Sequence, residues 1–217
     1  MTVDVKICGL STADGLRAAI DAGAGYVGFV FYPRSPRAVS AQEAGALALI
    51  VPQGVRKVGL FVDPTDEALA EVLRAVPLDI IQLQGAETPD RVAEIRASTG
   101  KPVFKAVAIA GPDDVARAHS YEDTADFLLF DAKPPKAMPL ALPGGNGLSF
   151  DWKLIAGETW KRGWILAGGL TADNVADAVE QSGARFVDVS SGVEDRPGVK
   201  NPAKIEAFIK AARNATS

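Results

Sequence analysis

The chain has 217 residues, 27 acidic against 23 basic side chains, a formal net charge of −4 and 47% hydrophobic content. This is the balance of a globular chain that buries a core without staples, and the scattered basic residues leave no electrostatic footprint of a nucleic-acid binder. The lone Cys8 excludes an internal disulfide, and with the lone His119 it excludes a tetrahedral Cys/His zinc site.

The start, Met1 to Lys6, lacks the basic beginning and long apolar region of a signal peptide. No apolar run approaches the roughly 18 residues that cross a bilayer, so the expectation is a cytoplasmic protein without a membrane partner. Strand-like runs then recur at Val5–Cys8, Tyr26–Phe31, Val55–Val62, Ile80–Leu83, Val103–Val107, Phe127–Asp131, Trp164–Ala167 and Phe186–Ser190. They are apolar and mostly unalternating, as strands buried on both faces are. Between them lie amphipathic stretches that predict helices over Ala13–Ala22, Ala41–Ile50, Asp66–Val76, Pro89–Ser98, Ala172–Gln181 and Pro202–Arg213. Thr12, Ser40 and Thr65 are placed to cap three of these, and Glu43 stands three residues after Ser40 in capping-box spacing. The segment Lys133–Ser149 is rich in Pro and Gly and reads as a long loop, the kind that carries function.

Eight strand–helix units in this length close either as a barrel or as an open doubly wound sheet. The chemistry after the strands favours the barrel over residues 1–217 as one domain. Cys8-Gly9, Asp131, Gly168-Gly169 and Ser190-Ser191-Gly192 all follow strand ends, and in a barrel these ends meet on one rim.

Two turns on that rim suit a phosphate. Ala167-Gly168-Gly169-Leu170 and Ser190-Ser191-Gly192 combine backbone that an anion can approach with hydroxyl and N–H donors. Either turn alone reads rather as a tight strand-to-helix connection; the two together, after the seventh and eighth strands, point to phosphate. Cys8 ends the first strand, where its thiol acts as a base or nucleophile or packs as a small hydrophobe. Asp131 closes an apolar run, which makes it a candidate acid or a carboxylate bonded to loop N–H groups. Arg37, in the Pro-stiffened loop after the second strand, either binds a carboxylate or lies solvated on the surface. Period-two alternation puts Lys6 on the side of Cys8 and Asp188 on the side of Ser190, so a closed barrel would pair Lys6 with Asp188. His119 receives no role.

Lys6-Ile7-Cys8-Gly9-Leu10, Gly28-Phe29-Val30-Phe31 with Ser35-Pro36-Arg37, and Gly59-Leu60-Phe61-Val62 together resemble phosphoribosylanthranilate isomerases. Gln82-Leu83-Gln84-Gly85, Leu129-Phe130-Asp131, Gly144-Gly145-Asn146-Gly147, Ala167-Gly168-Gly169-Leu170 and Val187 to Glu194 extend the resemblance along nearly the whole chain. It implies a single (β/α)8 TIM barrel, α/β in class with a parallel eight-stranded core, working without metal or cofactor. The implied reaction is an Amadori rearrangement of N-(5-phosphoribosyl)anthranilate in tryptophan biosynthesis.

Roles follow by position under that resemblance. Asp131 would protonate the ribose ring oxygen, Cys8 would remove the C2′ proton, and Arg37 would hold the anthranilate carboxylate. Gly168, Gly169, Ser190, Ser191 and Gly192 would cradle the phosphate. Two departures stand out: Gln84 where the family often has His, and Asn146 where it has Ser or Thr. Neither is expected to touch the acid or the base, so their effect should fall on affinity. The partner expected is a phosphorylated small molecule, and the chain is expected to be a monomer. A plain sugar-phosphate isomerase and a catalytically dead phosphate-binding barrel are the rival readings, disfavoured by the lone histidine and by intact Cys8 and Asp131 respectively.

Overall fold

The computed structural model describes residues 2–135 and 142–215. Eight strands, β1 (Asp4–Cys8), β2 (Tyr26–Val30), β3 (Arg56–Phe61), β4 (Ile80–Leu83), β5 (Val103–Ile109), β6 (Phe127–Ala132), β7 (Gly163–Leu166) and β8 (Phe186–Val189), close in that order. Every neighbouring pair is parallel, including β1 with β8, so closure is complete and the open-sheet alternative is excluded.

Helices α1 (Ala13–Asp21), α2 (Ala41–Ala48), α3 (Asp66–Ala75), α4 (Pro89–Thr99), α5 (Pro112–Ala118), α6 (Val175–Ser182) and α7 (Pro202–Asn214) cover the outside. The expected caps form: Gly15, Glu43 and Ala68 donate their N–H groups to Thr12, Ser40 and Thr65, and Glu43 returns a bond to the Ser40 N–H at 2.8 Å. Among the described residues no helix is long and apolar enough to cross a membrane.

Three elements differ from the sequence reading. The short helix α5 was not anticipated; its Pro112 start and Asp114, which accepts the Ala110 N–H at 2.9 Å, fix it. Helix α6 begins at Val175 rather than near Ala172, because Asn174 folds its side chain back onto the Thr171 N–H and the Gly169 carbonyl instead of letting that turn join the helix. Beyond the expected long loop, of which residues 136–141 lie outside the described residues, an unanticipated 3-10 turn forms at Trp152–Leu154. After β8, a hairpin of β9 (Glu194–Arg196) and β10 (Val199–Lys200) carries the chain back toward the rim.

Alternate residues of each strand point outward or inward. Outward, Val5, Ile7, Val27, Ile81, Leu128 and Val187 join the helices in the main core. Inward, Tyr26, Phe104, Phe127 and Phe186 plug the N-terminal end of the barrel, with Tyr26 and Phe186 at 4.5 Å between ring centres and Phe104 and Phe127 at 5.3 Å. Above this plug the interior turns polar: Lys6, fully buried, meets Asp188 at 2.7 Å, as the strand alternation predicted. Gly28 makes room there, since a Cβ would lie 3.1 Å from the Cys8 sulfur and 3.3 Å from Cε of Lys6.

Phe186→Ala should therefore cost about 3–5 kcal/mol of unfolding free energy, read as a lower denaturant midpoint at unchanged slope. A loss below about 1 kcal/mol would mean that the aromatic plug does not support the barrel.

Candidate active site

The C-terminal rim holds two contiguous depressions. One is lined by Cys8, Arg37, Gln84, Asp131, Gly145 and Ser190, among others. The other is lined by Asn146, Gly168, Gly169, Ser190, Ser191 and Gly192, and shares Asp131, Asp188 and Ser190 with the first. All eight residues singled out from the sequence thus meet in one continuous site.

The second depression is built by close backbone approach. Gly168 and Gly169 both have left-handed backbone, φ 83° and 63°, which costs little only without a side chain. A Cβ on Gly168 would sit 2.7 Å from the Ala132 nitrogen, and one on Gly192 would run into the Leu170 carbonyl. The side chain of Asn174 ties the first turn down through Gly169 and Thr171. A hydroxyl-bearing 3-10 turn, Ser191–Val193, opens on the same recess. Small residues, hydroxyls and turn N–H groups around one recess suit a dianion.

Cys8 ends β1 inside the barrel mouth, almost wholly buried. Burial pushes its thiol up from the ordinary value, and Asp188 adds to that, while the ammonium groups of Lys6 and Lys200 pull it down. Burial also opposes the charge on Lys6, but Asp188 and Cys8 outweigh it and hold Lys6 above the usual lysine value.

Asp131, from the end of β6, accepts the N–H of Ala132 at 2.8 Å on Oδ1 and the Gln84 amide at 3.0 Å on Oδ2. Burial pushes its carboxyl up to about 7, aided by the charge of Asp188 and opposed by the Ala132 N–H, Gln84 and Lys6. Asp131 thus takes a backbone N–H while burial holds its carboxyl far above the usual carboxylate range.

Gln84 corrects an expectation. It was set apart from the expected acid and base, yet it donates directly to Asp131, because the side chain just beyond β4 and the one near the end of β6 meet at the mouth of the barrel. Its own oxygen accepts from Gln82 at 2.8 Å and its nitrogen also meets the Pro143 carbonyl at 3.3 Å, so its orientation is fixed from both ends. Asn146 keeps away from both groups and clamps Leu142, accepting its N–H at 3.1 Å and donating to its carbonyl at 2.6 Å.

Arg37 is buried rather than solvated. Its Nε and Nη2 donate to the two oxygens of Glu194, each at 2.8 Å, and Nη2 also reaches the Gly145 carbonyl at 3.3 Å. That edge is engaged inside the protein, and Nη1 lies beside Gly145, 2.6 Å from where a Cβ there would sit. Burial disfavours the charge on Glu194, but Arg37 and Lys200 outweigh it and hold its pKa below the usual carboxylate range. Lys200 bonds Glu194 at 2.7 Å, the Ser190 carbonyl at 2.9 Å and the Ser190 hydroxyl at 3.3 Å, and that hydroxyl donates to the Cys8 carbonyl at 3.1 Å. Sequence reasoning assigned Glu194 and Lys200 no role. The signal available was Arg196-Pro197-Gly198-Val199, a turn just after Glu194 that folds the chain back so that Lys200, six residues on, returns beside it.

Residues 5–211 match the family model described as N-(5'phosphoribosyl)anthranilate (PRA) isomerase. The N-(5'-phosphoribosyl)anthranilate isomerase of Rhodospirillum centenum is 59% identical over 212 residues, which cover 98% of this chain and 99% of that protein. A solved structure described as mutually generated monomers of the dimeric enzyme from Thermotoga maritima is 35% identical, with a TM-score of 0.81 over 97% of this chain and 98% of that one. Another, 33% identical with a TM-score of 0.79 over 97% and 98% of the two chains, is a phosphoribosyl anthranilate isomerase in complex with reduced 1-(o-carboxyphenylamino)-1-deoxyribulose 5-phosphate. With the match running through every strand of the barrel and both rim turns, the chain belongs to the PRA isomerase family.

Proposed function

We propose that the chain converts N-(5-phosphoribosyl)anthranilate to 1-(2-carboxyphenylamino)-1-deoxyribulose 5-phosphate, a step of tryptophan biosynthesis in the cytoplasm, with Asp131 as general acid and Cys8 as general base. The observation that carries this reading is that Cys8 and Asp131 line one pocket between a buried arginine and a glycine-rich recess. A substrate with a carboxylate at one end and a phosphate at the other spans that arrangement, and anchoring both ends holds the ribose between acid and base.

In this reading the phosphate lies against Gly168, Gly169, Ser190, Ser191 and Gly192, and the anthranilate carboxylate meets the Nη1 edge of Arg37. Asp131 protonates the ribose ring oxygen, and the C1–O bond breaks to leave an iminium between C1 and the aniline nitrogen. The Cys8 thiolate then takes the C2 proton, giving an enolamine that tautomerises to the ketone. No atom is gained or lost, so the two proton-transfer groups suffice.

The direct test generates phosphoribosylanthranilate in the cuvette and follows the loss of its fluorescence. Cys8→Ala and Asp131→Asn should each lose about a hundred- to ten-thousand-fold in turnover while still binding the reduced product analogue. Arg37→Ala should act chiefly on that binding. A Cys8 or Asp131 variant that keeps near wild-type turnover would remove that residue from the mechanism.

The pH dependence follows from the two buried groups. The productive form has Asp131 protonated and Cys8 ionised, the same proton count as the major form with thiol and carboxylate. Its share is therefore constant between the two pKa values. kcat/KM should rise as pH passes about 7, where the doubly protonated enzyme disappears, and fall where the thiol itself is lost at higher pH. Gln84→Leu removes a donor to the carboxylate, which favours the protonated acid, so the lower limb should move to higher pH. An unmoved lower limb would show that Gln84 does not act on the acid.

A monomer is the proposed solution state. Among the described residues the large exposed apolar side chains are Leu49, Ile50 and Val199, too few for a hydrophobic interface. Sedimentation or light scattering should give the mass of one chain; twice that mass would discard the proposal.

A further inference from the structure

Three cations bear on Cys8 and its pocket: Arg37 lines the pocket, while Lys6 and Lys200 pull the thiol down against burial. Lys6 pulls the harder of the two, but it is matched one to one by Asp188 at 2.7 Å, which pushes the thiol the other way. Arg37 and Lys200 instead share one carboxylate, Glu194, which accepts from Arg37 on both oxygens and from Lys200 on Oε1. That trio keeps one uncompensated positive charge. Lys200 is also the member linked to Cys8, since its Nζ donates to the Ser190 carbonyl and hydroxyl, and the hydroxyl donates to the Cys8 carbonyl.

Lys200 itself is held with little freedom. Its side chain is 2% exposed, its backbone sits in β10, and its three hydrogen-bond partners are all internal. A buried lysine costs desolvation that a merely structural position avoids with an apolar side chain of similar volume. Here the ammonium sits at the junction of the phosphate turn, the strand that carries the thiol and the counter-ion of Arg37.

We infer that Lys200 is a positioning residue of the isomerisation site, which through Glu194 and Ser190 holds a fixed ammonium beside Cys8 and so favours the thiolate that takes the C2 proton. The inference rests on the reading of Cys8 as the base. The charged groups around the thiol are Lys6 on β1, Asp131 on β6, Asp188 on β8, and Arg37, Glu194 and Lys200 of the shared cluster. Burial raises the thiol, and Lys200 is one of two cations that oppose it; conversely, burial lowers Lys200, while Glu194 and Cys8 support its charge.

Because Cys8 is the one cysteine of the chain, its titration can be read without interference from another thiol. The ultraviolet absorbance of the thiolate, taken as the difference from Cys8→Ala protein across pH, gives the midpoint in the free enzyme. Lys200→Met should move that midpoint upward by about one unit, and the plateau of kcat/KM should fall about tenfold with it. Lys200→Arg, which keeps the charge, should leave the midpoint within a few tenths of a unit of wild type. If the methionine protein does not fold, Lys200→Gln, which keeps a donor for Ser190 and Glu194 without the charge, takes its place with the same expected shift.

An unmoved midpoint in the uncharged variant overturns the inference, even if stability or KM suffers. Equal shifts in the arginine and the uncharged variant overturn it too, because packing rather than charge would then be the cause. Failure of the underlying reading looks different. Cys8→Ala protein would retain turnover, whereas the titration would still report whether Lys200 acts on the thiol.

Discussion

The ion pair of Lys6 and Asp188 is the constraint on which the active end of this barrel depends. The two residues are register partners across the seam where β8 returns to β1. A slip of one residue there would turn the lysine outward among Val5 and Ile7, into the apolar shell under the helices, and leave a buried charge unpaired. The pair therefore specifies closure as well as filling the interior. Cys8 and Ser190 follow two residues later on the same faces, so the register that satisfies Lys6 also brings thiol and hydroxyl to the mouth side by side.

Electrostatically, the mouth buries Asp131 and Cys8 alike but gives them different company. Asp131 has neutral donors, Ala132 and Gln84, at its oxygens and an anion, Asp188, nearby, so burial dominates and the carboxyl holds its proton toward neutrality. Cys8 has cations near it, which counter part of the same burial. The two groups thus differ in what offsets their burial, neutral donors at the carboxyl and cations at the thiol.

The scaffold was legible in the sequence because buried parallel strands are apolar on both faces and the helices between them carry caps. Ser40 with Glu43, the alternation that paired Lys6 with Asp188, and the convergence of Cys8, Asp131, Gly168 and Ser190 all came from spacing alone. What escaped was set by partners distant in the chain. Arg37 finds Glu194 across 157 residues, and Gln84 finds Asp131 across 47, so no local pattern announces either bond. Helix α6 shows the same limit at short range: the Asn174 side chain preferred the turn that holds Gly169 over the helix its periodicity suggested.

Among the described residues after β6, the segment Leu142–Gly147 turns its backbone to the site. Pro143 offers a carbonyl to Gln84 and Gly145 offers one to Arg37, so one loop braces both the partner of Asp131 and the arginine. Gly144 passes so near the acid that a Cβ would lie 2.8 Å from Asp131 Oδ2, and Asn146 closes the segment on itself by gripping Leu142 at both backbone groups. Such a loop has little core of its own and depends on those polar bonds for its shape. Position 146 thus acts on the site through the loop's conformation, which is why an amide able to donate and accept at once suits it.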